Sequence, residues 1–143
     1  EENPMRYMIL IKATADSEAG VLPTEELAGP MADYHEELVR AGVLVDGSGL
    51  RPTRDGFRLK YEGGKRLLID GPFTETKEII AGYTIIKVKS TEEAVEWFKR
   101  FPNPHMADCE IEMRRLYELE DFGPMEAMDR FREMGISGAE KKA

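Results

Sequence analysis

The stretch "LLIDGPFTETKEIIAGYTII", residues 67–86, decides the fold, because it joins two apolar runs by a loop longer than a turn requires. The first run ends on Asp70, a rigid Gly71-Pro72 corner follows, and five polar residues come after Phe73. The second run indicates a strand over residues 83–89 whose side chains alternate between two faces. The loop between these strands is therefore the first candidate for a functional site.

Upstream of this loop the sequence predicts a β-hairpin. Residues 57–62 and 65–70 read as two strands around Gly63-Gly64. Paired glycines tolerate the positive φ angles that a two-residue hairpin turn demands. Before the hairpin, "VLVDGSGL", residues 43–50, predicts a short strand that runs into a glycine-rich turn.

A helix is predicted over residues 24–41. Thr24 is a suitable N-cap, and Gly42 is a natural end for the helix. Gly29-Pro30 predicts a kink or a restart near the first turns, because proline removes a backbone donor and its ring crowds the preceding turn.

Downstream of the quoted stretch come a second helix and a last strand. Ser90 caps this helix, and Glu93 stands three residues on, where it completes a capping box. Pro102 ends the helical pattern. Residues 109–119 alternate apolar with charged side chains and predict the last strand, with Cys109 in the core rather than acting as a nucleophile.

The first strand, residues 5–13, is apolar on both sides, because Tyr7 and Ile9 cannot share a face with Met8 and Leu10. The order of elements is βαββαβ with the hairpin inserted, an α+β ferredoxin-like plan with both helices on one face of an antiparallel sheet. A second copy of the sheet would cover the other face. The sequence therefore predicts a two-fold homodimer.

The composition limits the function classes. The chain has 143 residues and a net charge of −8, which disfavours direct binding to nucleic acid or to anionic membranes. It has no apolar run near the ~20 residues of a spanning helix and no secretory signal. Its single cysteine, Cys109, allows no intrachain disulfide and suits the cytoplasm.

Three segments carry a family likeness: "YHEELVRAGVLVDGSGL", "DGPFTETKEIIAGYTIIKV" and "STEEAVEWFKRFPNP". In this order they resemble the YCII-related proteins, and in particular the branch named for its Asp-Gly-Pro-Phe motif, the DGPF-domain proteins. The likeness covers residues 5–122. It leaves residues 1–4 as a short extension or cloning remnant, and residues 123–143 as a C-terminal helical extension. It implies a dimeric α+β barrel built from ferredoxin-like subunits.

His35 and Asp70 are the candidate catalytic residues. Imidazole is suited to proton transfer near neutral pH, and an acid at a strand end can orient it or accept a proton. Relatives in the wider YCII group are proposed to use a His–Asp pair in a cleft. The alternatives are a helix-face histidine bonded to a neighbour, and an aspartate that fixes its own turn.

Three further residues are candidate ligand-binding groups: Glu75, Lys77 and Tyr83. Lys77 suits an anionic ligand, and the Tyr83 hydroxyl could reach a cleft, although a solvated charged loop and an ordinary strand tyrosine explain the same pattern. No metal site is predicted, because a structural zinc site needs four ligands and the chain offers two histidines and one cysteine. No cofactor motif is present, so no cofactor is expected.

Three functional hypotheses follow. The first is a cofactor-free enzyme of the lyase or isomerase type, in which His35 exchanges a proton with a small polar molecule and Asp70 orients the histidine ring. The second is a non-catalytic ligand-binding or regulatory dimer. It includes a partner of an extracytoplasmic-function (ECF) sigma factor, because some DGPF-branch relatives are fused to or encoded beside such factors. In the third, residues 70–78 only stabilise the fold.

Overall fold

A four-stranded antiparallel sheet forms the centre of the computed structural model, which describes residues 3–74 and 76–139, without the side chain of Thr76. In chain order the elements are β1 (Met5–Lys12), α1 (Ala15–Glu18), α2 (Glu25–Arg40), β2 (Leu44–Gly49), β3 (Phe57–Glu62), β4 (Lys65–Asp70), β5 (Ile80–Val88), α3 (Thr91–Lys99), β6 (Ile111–Arg115) and α4 (Glu126–Met134). Short 3₁₀ turns lie at Thr53–Asp55, Thr76–Glu78, Leu119–Phe122 and Ile136–Gly138.

The order of strands in the sheet is β2-β5-β1-β6, and neighbouring strands pair antiparallel throughout. This mixed α+β arrangement is compatible with the ferredoxin-like plan predicted from the sequence. Strands β3 and β4 form a separate two-stranded sheet, so the predicted hairpin is an insertion between β2 and β5. The dimeric barrel concerns a second copy and stays a prediction.

The core lies on one face of the four-stranded sheet. Ile9, Leu38 and Ile86 are its largest fully buried side chains, and they come from β1, α2 and β5. Ala94 of α3 is buried in the same cluster, so α2 and α3 cover the same face. On the opposite face Met8 and Leu10 are partly exposed in the single subunit, and their cover by a second copy stays a prediction.

Helix α2 runs without interruption from Glu25 to Arg40 and contains Pro30. The predicted restart at Gly29-Pro30 is therefore wrong. Pro30 is exposed, so water can reach the carbonyl that lacks its helical partner. At the other end Gly42 takes a φ of +73°, the left-handed conformation expected after the last turn.

Tyr34 of α2 titrates differently in the folded and unfolded chain. Its hydroxyl donates to the carbonyl of Trp97 at 2.6 Å. Burial raises the pKa of Tyr34 from 10.0 to about 12, although the positive charge of Arg100 acts in the opposite direction. The unfolded chain therefore loses this proton at a lower pH than the folded chain does.

We expect the stability that Tyr34 contributes to be complete below pH 10 and to be lost as the pH rises towards about 12. The measurement is the free energy of unfolding of the wild type minus that of Tyr34→Phe, followed from pH 8 upward. At neutral pH the variant should be less stable by about 1 kcal/mol, the net value of a lost hydrogen bond. The prediction is contradicted if the difference in unfolding free energy between the wild type and Tyr34→Phe stays constant from pH 8 upward.

Three strand boundaries differ from the sequence prediction. Strand β2 continues to Gly49, where a turn was expected. Strand β5 begins at Ile80, because its first residue already pairs with Lys12 of β1. Strand β6 spans only Ile111–Arg115, and Cys109 lies outside it, exposed, where the alternation predicted a core position.

The turn of the hairpin matches its prediction. Gly63 and Gly64 have φ angles of +57° and +76°, so both need the left-handed region that glycine reaches without strain. Every residue of β3 and β4 is exposed. The hairpin is thus held at its base rather than by the core.

The C-terminal extension follows β6 and contains helix α4, which Gly135 closes with a φ of +79°. The segment before α4 is tied to the sheet by Arg6, whose Nε donates to both carboxylate oxygens of Glu118 at 3.0 and 3.2 Å. Among the described residues, no helix is long and apolar enough to cross a membrane.

Candidate functional site

His35 is half-buried on α2, and both of its ring nitrogens have hydrogen-bond partners. Nδ1 lies 2.8 Å from the carbonyl oxygen of Met31, and Nε2 lies 2.9 Å from the hydroxyl of Thr84. Because a carbonyl only accepts, Nδ1 must carry a proton. In the neutral ring Nε2 therefore accepts from the Thr84 hydroxyl, and in the charged ring it donates to the same oxygen. The direction of this bond therefore depends on where the Thr84 hydroxyl hydrogen points.

Gly47 keeps the approach to this pair open from the β2 edge of the sheet. A Cβ atom on Gly47 would lie 3.9 Å from Nε2 of His35 and 3.7 Å from the Thr84 hydroxyl oxygen. Its φ is not in the left-handed region, so the backbone itself does not require glycine here. The missing side chain therefore leaves room for a ligand atom in van der Waals contact with the ring.

The outer side of His35 faces an open depression of about 430 Å³, whose other lining residues are Ala32, Glu36, Val39 and Arg40. All of them belong to α2. Glu36 and Arg40 form an ion pair at 3.8 Å across one turn of the helix. A single subunit thus supplies one wall of this depression.

Thr84 is the buried polar side chain of the core, with 2% of its surface exposed. A buried hydroxyl must be hydrogen-bonded, and His35 satisfies it. The contact therefore stabilises the fold whatever else it does. Proton transfer at this site requires that a ligand reaches Nε2 of His35. Because Gly47 leaves the space for that approach, a substitution at Gly47 distinguishes a role in proton transfer from a purely structural role.

Tyr83 points to the opposite face of the sheet. Its hydroxyl donates to a carboxylate oxygen of Asp46 at 3.2 Å. Asp46 raises the pKa of Tyr83, first through this hydrogen bond and then through its negative charge. Tyr83 and His35 are therefore on opposite sides of β5 and do not line the same surface within one subunit.

Lys77 lies in a different depression, at the end of the sheet where β1 finishes. This open space of about 540 Å³ is lined by Lys12, Ala13, Thr14, Lys77, Asp108, Cys109 and Glu110. The Nζ atom of Lys12 forms ion pairs with a carboxylate oxygen of Glu112 at 3.4 Å and with one of Glu110 at 3.8 Å. A negatively charged ligand would meet Lys77 here together with nearby carboxylates, which lowers the attraction.

Asp70 ends β4, is exposed and pairs across the hairpin with Phe57. Neither ring nitrogen of His35 bonds to it, because Met31 and Thr84 occupy both. The structure therefore brings His35 together with Thr84 and Gly47 but not with Asp70, and the His35–Asp70 pair stays a prediction. Glu75 lies outside the described residues.

The loop after Asp70 anchors the hairpin. The Gly71–Pro72 bond is cis. The Gly71 amide donates to the Gly56 carbonyl, and the Phe73 amide donates to the Thr53 hydroxyl oxygen, each at 2.9 Å. The carboxylate of Glu18 in turn accepts bonds from the amide and hydroxyl of Thr53. The Asp-Gly-Pro-Phe stretch thus has a structural role that is visible in its hydrogen bonds.

Sequence reasoning missed Thr84 and Gly47. The alternation of β5 places Thr84 on the same face as Ile86 and Val88, but a threonine in a strand gives no sign of its partner. Gly47 was assigned to a turn, and only the pairing of β2 with β5 brings it beside Thr84. The one available signal was a glycine inside "LVDGSG", where a strand glycine marks a close approach.

Comparison with known proteins identifies relatives of this chain. Residues 5–120 match the sequence profile of the YCII-related domain. An uncharacterised protein of Rhizobium meliloti (strain 1021) is 29% identical over 92 residues, which cover 64% of this chain and 74% of that protein. The relative's description assigns no activity, so it adds no ligand or reaction to the geometry above.

Proposed function

This chain belongs to the family of YCII-related domains, and on that premise we propose that it is a homodimer that binds a small polar molecule beside His35 and exchanges a proton with it. The observation that carries the proposal is the open space that Gly47 leaves next to the hydrogen-bonded pair of His35 and Thr84. No cofactor is part of the proposal.

The dimer is proposed from the face of the sheet that carries no helix. Its centre holds four partly exposed side chains in two cross-strand pairs, Met8 with Ile85 and Leu10 with Tyr83. Polar and charged side chains flank them: Asp46 and Ser48 on β2, and Glu112 and Arg114 on β6. An apolar centre with a polar rim is typical of protein–protein interfaces.

The proton-transfer role rests on the environment of His35. Its Nδ1 proton is held by the Met31 carbonyl, which fixes the ring and leaves Nε2 as the reactive nitrogen. A ligand that displaced the Thr84 hydroxyl from Nε2 would be placed for proton exchange within hydrogen-bond distance. In this proposal Thr84, rather than Asp70, is the partner of the ring within one subunit.

The test is a thermal-shift screen of a library of small polar metabolites against the wild type, His35→Gln and Gly47→Ala. A ligand at about 100 times its Kd should raise the wild-type melting temperature by roughly 5–10 °C. We expect His35→Gln to lose most of this shift, because the ligand would lose its hydrogen bond with Nε2 of the imidazole ring, whose position and charge an amide does not reproduce. We expect Gly47→Ala to reduce it, because the added methyl group fills the approach to Nε2.

Gly49→Ala is the matched control, since Gly49 lies on the same strand and an added Cβ has no neighbour within 4 Å. This variant should keep the full ligand shift. If every compound that stabilises the wild type stabilises His35→Gln equally, the site at His35 is excluded.

A non-catalytic regulatory dimer is the second candidate function. It is favoured by the exposed apolar side chains of the hairpin, which lie outside the face proposed for the dimer. If this is the role of the protein, a ligand should raise the melting temperature of His35→Gln as much as it raises that of the wild type. We expect a cytoplasmic location in either case.

A further inference from the structure

The β3–β4 hairpin has one face that nothing in the described chain covers. Residues directly opposite in an antiparallel pair share a face, so this face carries three cross-strand pairs. They are Phe57 with Asp70, Leu59 with Leu68, and Tyr61 with Arg66. We call it the outer hairpin face. The guanidinium carbon of Arg66 lies 5.3 Å from the centre of the Tyr61 ring, which agrees with this assignment.

The exposure of the side chains distinguishes the two faces of the hairpin. On the outer hairpin face Phe57, Tyr61 and Leu68 are 67%, 68% and 67% exposed, and Leu59 at its centre is 46% exposed. On the other face Leu67 and Ile69 are 45% and 40% exposed. That second face is partly covered, because Phe73 of the anchoring loop packs under the guanidinium of Arg58 at 3.8 Å.

The residues of the outer hairpin face are arranged symmetrically about its centre. Along β4 the order is Arg66, Leu68, Asp70, and along β3 it is Phe57, Leu59, Tyr61. A two-fold axis through the central leucine pair, parallel to the sheet and perpendicular to the strands, places a second hairpin antiparallel on the first. Arg66 of each copy then meets Asp70 of the other, and each aromatic ring meets an aromatic ring. The face is complementary to itself in charge and in shape.

We propose that the outer hairpin face is a self-association surface, on which the hairpin of a second copy packs with two-fold symmetry. Isologous contacts of this kind need one self-complementary patch, and this face provides it. The proposal is independent of His35 and of the helix-free face of the central sheet. It gives the hairpin a role that the proposed small-molecule site does not use.

The size of the contact sets its strength. A hairpin six residues long is about 20 Å by 10 Å, so each copy buries on the order of 200 Å², against the ~800 Å² per partner of a standard interface. The contact alone should therefore give weak, concentration-dependent association. If the central sheets also pair, as proposed above, the hairpins join these dimers into larger assemblies, because each dimer carries two hairpins.

The experiment is a charge swap followed by sedimentation velocity over a wide range of protein concentration at low salt. Arg66→Glu creates two repulsive Glu–Asp contacts across the axis, and Asp70→Arg creates two repulsive Arg–Arg contacts. Each single variant should weaken one association step by about tenfold, because each symmetric pair changes from attraction to repulsion. The double variant Arg66→Glu/Asp70→Arg should restore the step, since the opposite charges face each other again.

Two variants on the other hairpin face control for net charge. Lys60→Glu and Glu62→Arg change the charge of the chain by the same amounts as the two single variants, and both residues lie on the face that the proposal leaves out. They should associate as the wild type does. Leu68→Asp, at the centre of the outer hairpin face, should abolish the step, while circular dichroism stays unchanged because the hairpin does not contribute to the core.

The charge-swap variants should leave the proposed sheet dimer unchanged, because that dimer depends on Leu10 and not on residues 66 and 70. The inference is overturned if the wild type shows no association step sensitive to Arg66→Glu. It is overturned equally if the double variant associates as weakly as the single ones, or if Lys60→Glu weakens the step as much as Arg66→Glu does.

Discussion

Replacing Leu10 with aspartate should convert the proposed homodimer into a monomer while the subunit stays folded. Leu10 pairs with Tyr83 at the centre of the helix-free face, so a carboxylate there would be buried between two sheets without a partner. Leaving a charge buried and unpaired costs several kcal/mol, and about 4 kcal/mol corresponds to a thousandfold weaker dimer. Sedimentation velocity of Leu10→Asp beside the wild type measures this change.

The fold of the variant should survive, because the core lies on the opposite face of β1 and Leu10 is not part of it. Leu22→Asp provides a control of the same chemistry, since Leu22 is 82% exposed on a loop. It should leave the dimer intact. A wild-type chain that sediments as a monomer, or a Leu10→Asp variant that dimerises as tightly as the wild type, would refute the sheet-face dimer.

The parts of the fold that sequence reasoning found depend on local rules. Gly63-Gly64 predicts the hairpin turn because few residues other than glycine accept two successive positive φ angles. The two-sided β1 predicts that both faces of the sheet need cover, and in the subunit the helices α2 and α3 cover one of them. Both inferences need only the residues within a short window, and periodicity supplies them.

The parts that it missed depend on which segments meet. Cys109 alternates with its neighbours like a strand residue, yet the pairing of β1 with β6 begins only at Ile111. Its Sγ bonds instead to the side-chain oxygen of Asn103 at 3.3 Å. An alternating pattern gives the direction of side chains but not the length of the partner strand, so the end of β6 could not be read from it.

The candidate site also combines residues that local patterns identify with residues that only the pairing of distant segments brings together. His35 stood out because its chemistry is unusual and it follows the apolar stripe of α2. Its contacts with Thr84 and Gly47 join positions 49 and 12 residues away in the chain, and only the register of β2 against β5 brings them together. Asp70 stood out for its place before a glycine-proline corner, but the hydrogen bonds that hold this corner are made by Gly71 and Phe73 and not by its carboxylate.

Gly71→Ala tests whether the Asp-Gly-Pro-Phe stretch is the anchor of the hairpin. A Cβ on Gly71 would stand 1.7 Å from the carbonyl oxygen of Thr53, a backbone atom that cannot rotate away. The segment must then move, and the bonds from Gly71 to Gly56 and from Phe73 to Thr53 cannot both persist. We expect a loss of about 2–4 kcal/mol, the cost of two bonds broken with their groups left unpaired.

The loss should appear first as local opening of the hairpin, because β3 and β4 contribute no side chain to the buried core. Amide hydrogen exchange would measure this, with residues 57–70 losing protection in Gly71→Ala while β1 and β5 keep theirs. Gly49→Ala, in open space on β2, should change neither region. If the hairpin amides of Gly71→Ala exchange as slowly as those of the wild type, the anchor lies elsewhere. The Asp-Gly-Pro-Phe stretch would then need a reason beyond the fold, and a ligand at Asp70 would become the better explanation.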